Sequence, residues 1–138
     1  MKPISHQDIG KPITLSSEYG KGRLLTLLND RIAFVEADNA SDQIWTLKDA
    51  NTPGGGFYIV CPDGTVLGSV PSNEALVTTY RMGDGVPKSI KLWYFGRKGT
   101  IYQPRVNGGD RYLWTPNGEL YIALDGFLGE KWLCSHVQ

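Results

Sequence analysis

Gln43-Ile44-Trp45-Thr46-Leu47, Lys91-Leu92-Trp93-Tyr94-Phe95 and Glu130-Lys131-Trp132-Leu133-Cys134 are one pattern written three times. Each has a polar side chain, then a tryptophan two residues on, inside a short run of strand-forming residues. The tryptophans are 48 and 39 residues apart, near one third of a 138-residue chain. Ahead of each lie an apolar stretch and a polar loop: Ile32-Ala33-Phe34-Val35, then Leu76-Val77-Thr78-Thr79, then Leu120-Tyr121-Ile122-Ala123. One stretch earlier come Leu24-Leu25, Val66-Leu67 and Tyr112-Leu113, each after a glycine-containing turn. Self-similarity at a fixed period marks a repeat architecture. Four strands repeated three times predict a barrel capped by hairpins.

The rest of the chain agrees with an all-β reading. Seventeen Gly and eight Pro punctuate short β-branched and aromatic runs about every ten positions, the pattern of a sandwich or barrel. The longest stretch free of both, residues 23–52, contains turn sequences such as Ala37-Asp38-Asn39-Ala40-Ser41-Asp42 rather than a helical period. Twelve strands are predicted, at 13–16, 24–28, 32–36, 43–48, 57–61, 66–70, 76–80, 91–95, 100–105, 112–114, 120–124 and 131–136. They fall into repeats at 9–52, 53–98 and 99–138 of a single domain, the number of domains that the length suits.

Composition narrows the function classes. Hydrophobic residues make up 41% and charged residues 20%, enough apolar material for a core. Fourteen Lys+Arg balance fourteen Asp+Glu, so the basic excess of a nucleic-acid or anionic-membrane binder is missing. No window reaches the roughly 18 apolar residues of a membrane span, and the N-terminus lacks the apolar stretch of a secretory signal, so a cytoplasmic location is expected. Cys61 and Cys134 are read as buried thiols, with a bridge as the alternative. With His6 and His136 they make no zinc-like spacing, so neither metal nor cofactor is expected.

The threefold strand pattern resembles the β-trefoil over essentially the whole chain. In that fold the fourth strand of each repeat gives a large residue to a shared core around a pseudo-threefold axis. One four-strand unit cannot cover its own apolar face, whereas three close it and remove the exposed edges. The resemblance therefore makes Trp45, Trp93 and Trp132 core residues rather than ligand aromatics.

Function has to come from the loops. An enzyme is not expected: there is no Gly-x-Ser-x-Gly, phosphate-cradling loop or metal motif, His6 lies near a terminus expected to be mobile, and no catalytic residue stands out. For a lectin, Gln43-Ile44-Trp45 resembles the Gln-x-Trp signature of ricin-B-type lectins, which Lys91 and Glu130 break in the other repeats. Those lectins place an Asp after a Leu on the second strand, where this chain has Thr26, Gly68 and Trp114, none a charged acceptor. A different sugar pocket is predicted from Asn107, Asp110 and Trp114 beside Tyr112, combining a stacking face with polar contacts.

For an inhibitor, the loop holding Tyr19, Gly20, Lys21 and Gly22 joins the first two strands, and glycine lets backbone approach a partner closely. The loop holding Asp38, Asn39, Ala40 and Ser41 emerges at the same end. In size, loop placement and cysteine usage the chain resembles the small intracellular fungal protease inhibitors of the mycocypin and cocaprin type. The resemblance implies a monomer whose two loops occlude the cleft of a papain-like cysteine protease without covalent chemistry. It also admits an aspartic protease through another loop. The loop Cys61-Pro62-Asp63-Gly64-Thr65 lacks the Asn or basic residue that an asparaginyl or trypsin-like protease would need. Protease inhibition is the leading expectation and sugar binding the alternative.

Overall fold

Ile13 and Leu15 are buried on a strand that ends in two buried serines, and this inward-outward alternation of short runs builds the sheets. The computed structural model describes residues 1–29, 31–104, 109–116, 121–126 and 129–137. Its strands are β1 (Lys2–Pro3), β2 (Pro12–Ser17), β3 (Leu24–Leu28), β4 (Arg31–Val35), β5 (Trp45–Asp49), β6 (Phe57–Val60), β7 (Val66–Val70), β8 (Asn73–Tyr80), β9 (Tyr94–Phe95), β10 (Ile101–Gln103), β11 (Arg111–Trp114), β12 (Ala123–Asp125) and β13 (Trp132–His136). No α-helix occurs among the described residues, only short 3-10 turns.

Beyond β1, the strands run in three sets of four. Hairpins β3–β4, β7–β8 and β11–β12 are the middle pair of each set. The outer strands join one set to the next: β13 pairs with β2, β5 with β6, and β9 with β10, while β2 also pairs with β5 of its own set. Phe57 and Trp93 exchange two backbone hydrogen bonds of 2.9 Å and so link β6 to the segment entering β9.

Trp45, Trp93 and Trp132 are 0%, 0% and 1% exposed in one continuous core with Leu25, Leu67, Leu113, Phe34 and Phe57. Each indole N–H donates to a leucine carbonyl on the second strand of its own set: Trp45 to Leu25 at 2.8 Å, Trp93 to Leu67 at 3.0 Å and Trp132 to Leu113 at 3.1 Å. A buried indole needs such an acceptor. These three bonds repeat the sequence period in hydrogen-bond form.

Several expectations shift. The 91–95 strand shortens to β9, because a 3-10 turn over Lys88–Ile90 leads in and Lys91 is in the helical region. The 43–48 strand starts at Trp45, since Gln43 closes the 3-10 turn Ser41–Gln43. The 76–80 strand reaches back to Asn73, and the strands expected at 100–105 and 120–124 appear as β10 and β12, with residues 105 and 120 outside the described set. Both cysteines are buried and unbridged.

The N-terminus is tied down rather than loose. β1 adds a strand beside β13, and His6 meets the Phe95 ring edge-on at 4.8 Å. The fully buried Asp8 accepts hydrogen bonds from Lys2 Nζ at 2.6 Å and the backbone N–H of Ser5 at 2.8 Å, and lies 2.7 Å from His136 Nε2. Burial alone would raise its pKa, but the bonds from Lys2, His136 and Ser5 outweigh it and lower it to about 2.

Candidate functional site

The residue two places before each tryptophan is buried in all three repeats, with three different chemistries. The Gln43 amide donates to Thr26 Oγ1 at 3.1 Å and the Glu36 carbonyl at 2.9 Å, and accepts from the Asp38 N–H at 3.1 Å. The one complete Gln-x-Trp signature therefore holds its own loop and has no polar atom left over for a ligand. Lys91 and Glu130 are the equivalents, the first hydrogen-bonded and the second not.

The Tyr19 loop is a tight turn on a fixed base. Gly20 N–H donates to the Ser17 carbonyl and Arg23 N–H to the Gly20 carbonyl, both at 3.0 Å, while Ser16 Oγ donates to the Arg23 carbonyl at 2.6 Å. Tyr19 projects at 58% exposure, and Lys21 and Gly22, at φ of 57° and 75°, make the outer bend. Gly20, expected at the contact surface, is buried in this turn. A Cβ there would lie 2.8 Å from Ser16 Oγ and 3.2 Å from the Phe34 ring, so its missing side chain serves internal packing.

In the second loop Asp38 accepts from the Ala40 N–H at 2.9 Å, and Asn39 takes a left-handed φ of 58°. The register pair Leu24↔Val35 roots both loops side by side. Among the described residues no hydrogen bond joins Tyr19–Gly22 to Asp38–Ser41. A small cleft holds Asn39 and Ala40 with Leu24, Ile44 and Val137 instead.

Of the predicted sugar pocket, Asn107 lies outside the described residues. On β11 Leu113 points inward, so Tyr112 and Trp114 point outward. Asp110 shares an open cleft of about 460 Å³ with Tyr112, Tyr102, Thr100, Phe95, Gly96, Arg97 and Gly129. Trp114 is half-buried, does not line that cleft, and its buried indole Nε1 has no partner among the described residues. The structure thus groups Asp110 with Tyr112 and two residues the sequence reading left out, Tyr102 and Arg97.

The register explains the grouping. Tyr102 pairs with Tyr112 on one side and Tyr94 on the other, so the three rings lie in a row across β9, β10 and β11. Their centroids are 5.9 Å apart from Tyr94 to Tyr102 and 5.5 Å from Tyr102 to Tyr112. Burial first, and then the Asp110 carboxylate, push the Tyr102 phenol up from its ordinary pKa, which places Asp110 in the field of that hydroxyl. Neither Arg97 nor Asp110 makes an ion pair among the described residues.

No family model and no curated protein matches the chain. Solved structures do. A designed threefold-symmetric protein, ThreeFoil, superposes with a TM-score of 0.69 at 14% identity, covering 91% of this chain and 99% of that one. SeviL bound to asialo-GM1 saccharide gives 0.67 at 18% identity, over 93% and 98%. The C-terminal half of the earthworm R-type lectin in complex with GalNAc gives 0.63 at 15%, over 92% and 99%. At these identities the likeness is one of fold. The chain is a β-trefoil.

Proposed function

We propose that the protein binds carbohydrate, through the cleft over Tyr102 and Tyr112. The observation that carries the reading is an outward tyrosine row edged by Arg97 and Asp110, neither of them in an ion pair among the described residues. The apolar C–H face of a pyranose packs on an aromatic ring, while its hydroxyls need both donors and acceptors. Arg97 and the tyrosine hydroxyls supply donors, and Asp110 supplies an acceptor. Two of the similar structures hold a saccharide, which supports the class of ligand but not its identity.

A glycan array tests this directly. Binding is expected, with loss on Tyr112→Ala and on Asp110→Asn in a protein that melts normally. A silent array counts against the reading.

The second reading is noncovalent inhibition of a papain-like cysteine protease, favoured by the exposure of Tyr19 on a turn whose base is fixed by Gly20 and Ser16. Tyr19, Lys21 and Gly22 would enter the cleft, with Asp38–Ser41 as the flank and an aspartic protease as the further target. Preorganisation of this kind lowers the ordering cost of binding. Titration of papain decides it: stoichiometric loss of activity that Tyr19→Ala weakens supports inhibition, and untouched papain removes this target.

A further inference from the structure

Resting on the carbohydrate reading, we infer that the tyrosine row takes an extended glycan of at least two consecutive sugar rings, laid across the strands, rather than one terminal sugar. Two features of the row lead there. The first is spacing. Neighbouring strands lie about 4.8 Å apart, and the row keeps this order of repeat, with ring centroids at 5.9 Å and 5.5 Å. Successive rings of an extended pyranose chain advance by a comparable step, so a sugar seated over Tyr102 and Tyr112 can be followed by a second at Tyr94.

The second feature is orientation. Tyr102 is turned 33° from Tyr94, and Tyr112 40° from Tyr102, so the platform is not one flat surface. Strand twist contributes part of this turn from one strand to the next, and a glycan accommodates it at its linkages whereas a single rigid ring does not. The row also runs past the cleft. Tyr94 does not line it, yet belongs to the same face, and the chain passes tightly beside its ring only because Gly56 has no Cβ; one added there would sit 3.1 Å from Tyr94 Cε2 and Cζ. Tyr102, Tyr112, Arg97 and Asp110 hold the first ring, and Tyr94 takes the chain onward.

The test begins with an array carrying mono- to tetrasaccharides. Each glycan that binds is then cut back to its terminal monosaccharide for calorimetry. The expected result is that the longer glycan binds about tenfold tighter than the single sugar, the worth of one added aromatic contact. Tyr94→Ala should abolish that gain while leaving monosaccharide affinity unchanged, and Tyr112→Ala should weaken both. Tyr94→Leu, which keeps bulk beside Gly56, guards against a folding defect. Equal affinity for the monosaccharide and its longer parent, or an unchanged gain in both Tyr94 variants, overturns the inference and leaves sugar binding standing. A silent array instead removes the reading on which it rests.

Discussion

Lys91 and Glu130 occupy equivalent places, two residues ahead of a buried tryptophan, and are provided for in opposite ways. Lys91 is 2% exposed, and its ammonium donates to the Arg81 carbonyl at 2.9 Å, the Met82 carbonyl at 3.3 Å and Asp84 Oδ1 at 2.6 Å. Glu130 is 4% exposed, and among the described residues neither carboxylate oxygen has a hydrogen-bond partner. Thr115, Ser17 and the backbone of Tyr19 stand around it, but Ser17 and Thr115 pair with each other at 3.2 Å and the Tyr19 N–H donates to Ser17. The framework tolerates either charge because the tryptophan bond is made independently. What differs is the surroundings: Lys91 gathers the loop that carries Arg81, Met82 and Asp84, whereas Glu130 lies among Ser17, Thr115 and Tyr19.

Acid should therefore act on the two regions with opposite sign. The Asp84 pKa is lowered chiefly by the hydrogen bond from Lys91, so that contribution is present above the ordinary carboxylate range and is lost as pH falls through the lowered value. The Glu130 pKa is raised, by burial first. Its contribution is complete below the ordinary Glu range and is lost as pH rises through the raised value.

Four substitutions break or sharpen this contrast. Lys91→Ala should cost about 3 kcal/mol in urea unfolding, since it empties a buried site and orphans two carbonyls; a cost no larger than that of an exposed lysine would end the comparison. Gly20→Ala should cost about 2 kcal/mol through overpacking against Ser16 and Phe34, and an unchanged midpoint would mean the turn beside Glu130 yields freely. Glu130→Gln, which gives the third repeat the amide of the first, should stabilise by about 1 kcal/mol at pH 7. That gain should shrink as pH falls, and its persistence at pH 4 would exclude ionisation as the cause. Asp84→Asn should have the smallest effect, a loss seen at neutral pH and absent in acid, visible as a flatter acid limb in melts followed against pH.

The core was readable because indoles at a regular period announce their own burial, and Trp45, Trp93 and Trp132 are where that period places them. β1 was not, since Lys2 and Pro3 carry no alternation and pair only because β13 is there to receive them. Asp110 and Tyr112 could be associated by sequence proximity. Tyr94 and Tyr102 joined them only through strand register, which no single segment encodes. The burial of Gly20 was hidden for a simpler reason: without a side chain, a glycine gives no sign of which way its Cα faces. The equivalence of Gln43, Lys91 and Glu130 was legible, but burial of two charged residues is not something their types suggest.

The indole-to-leucine bonds span 20, 26 and 19 residues, so each one closes within its own third of the chain. Every third thus fastens its own tryptophan, while strand pairing joins it to its neighbours. A molecule assembled this way behaves like a clasped necklace of like links: one link can be recast, in its charge or in the reach of its outer turns, while the other two go on holding the ring shut.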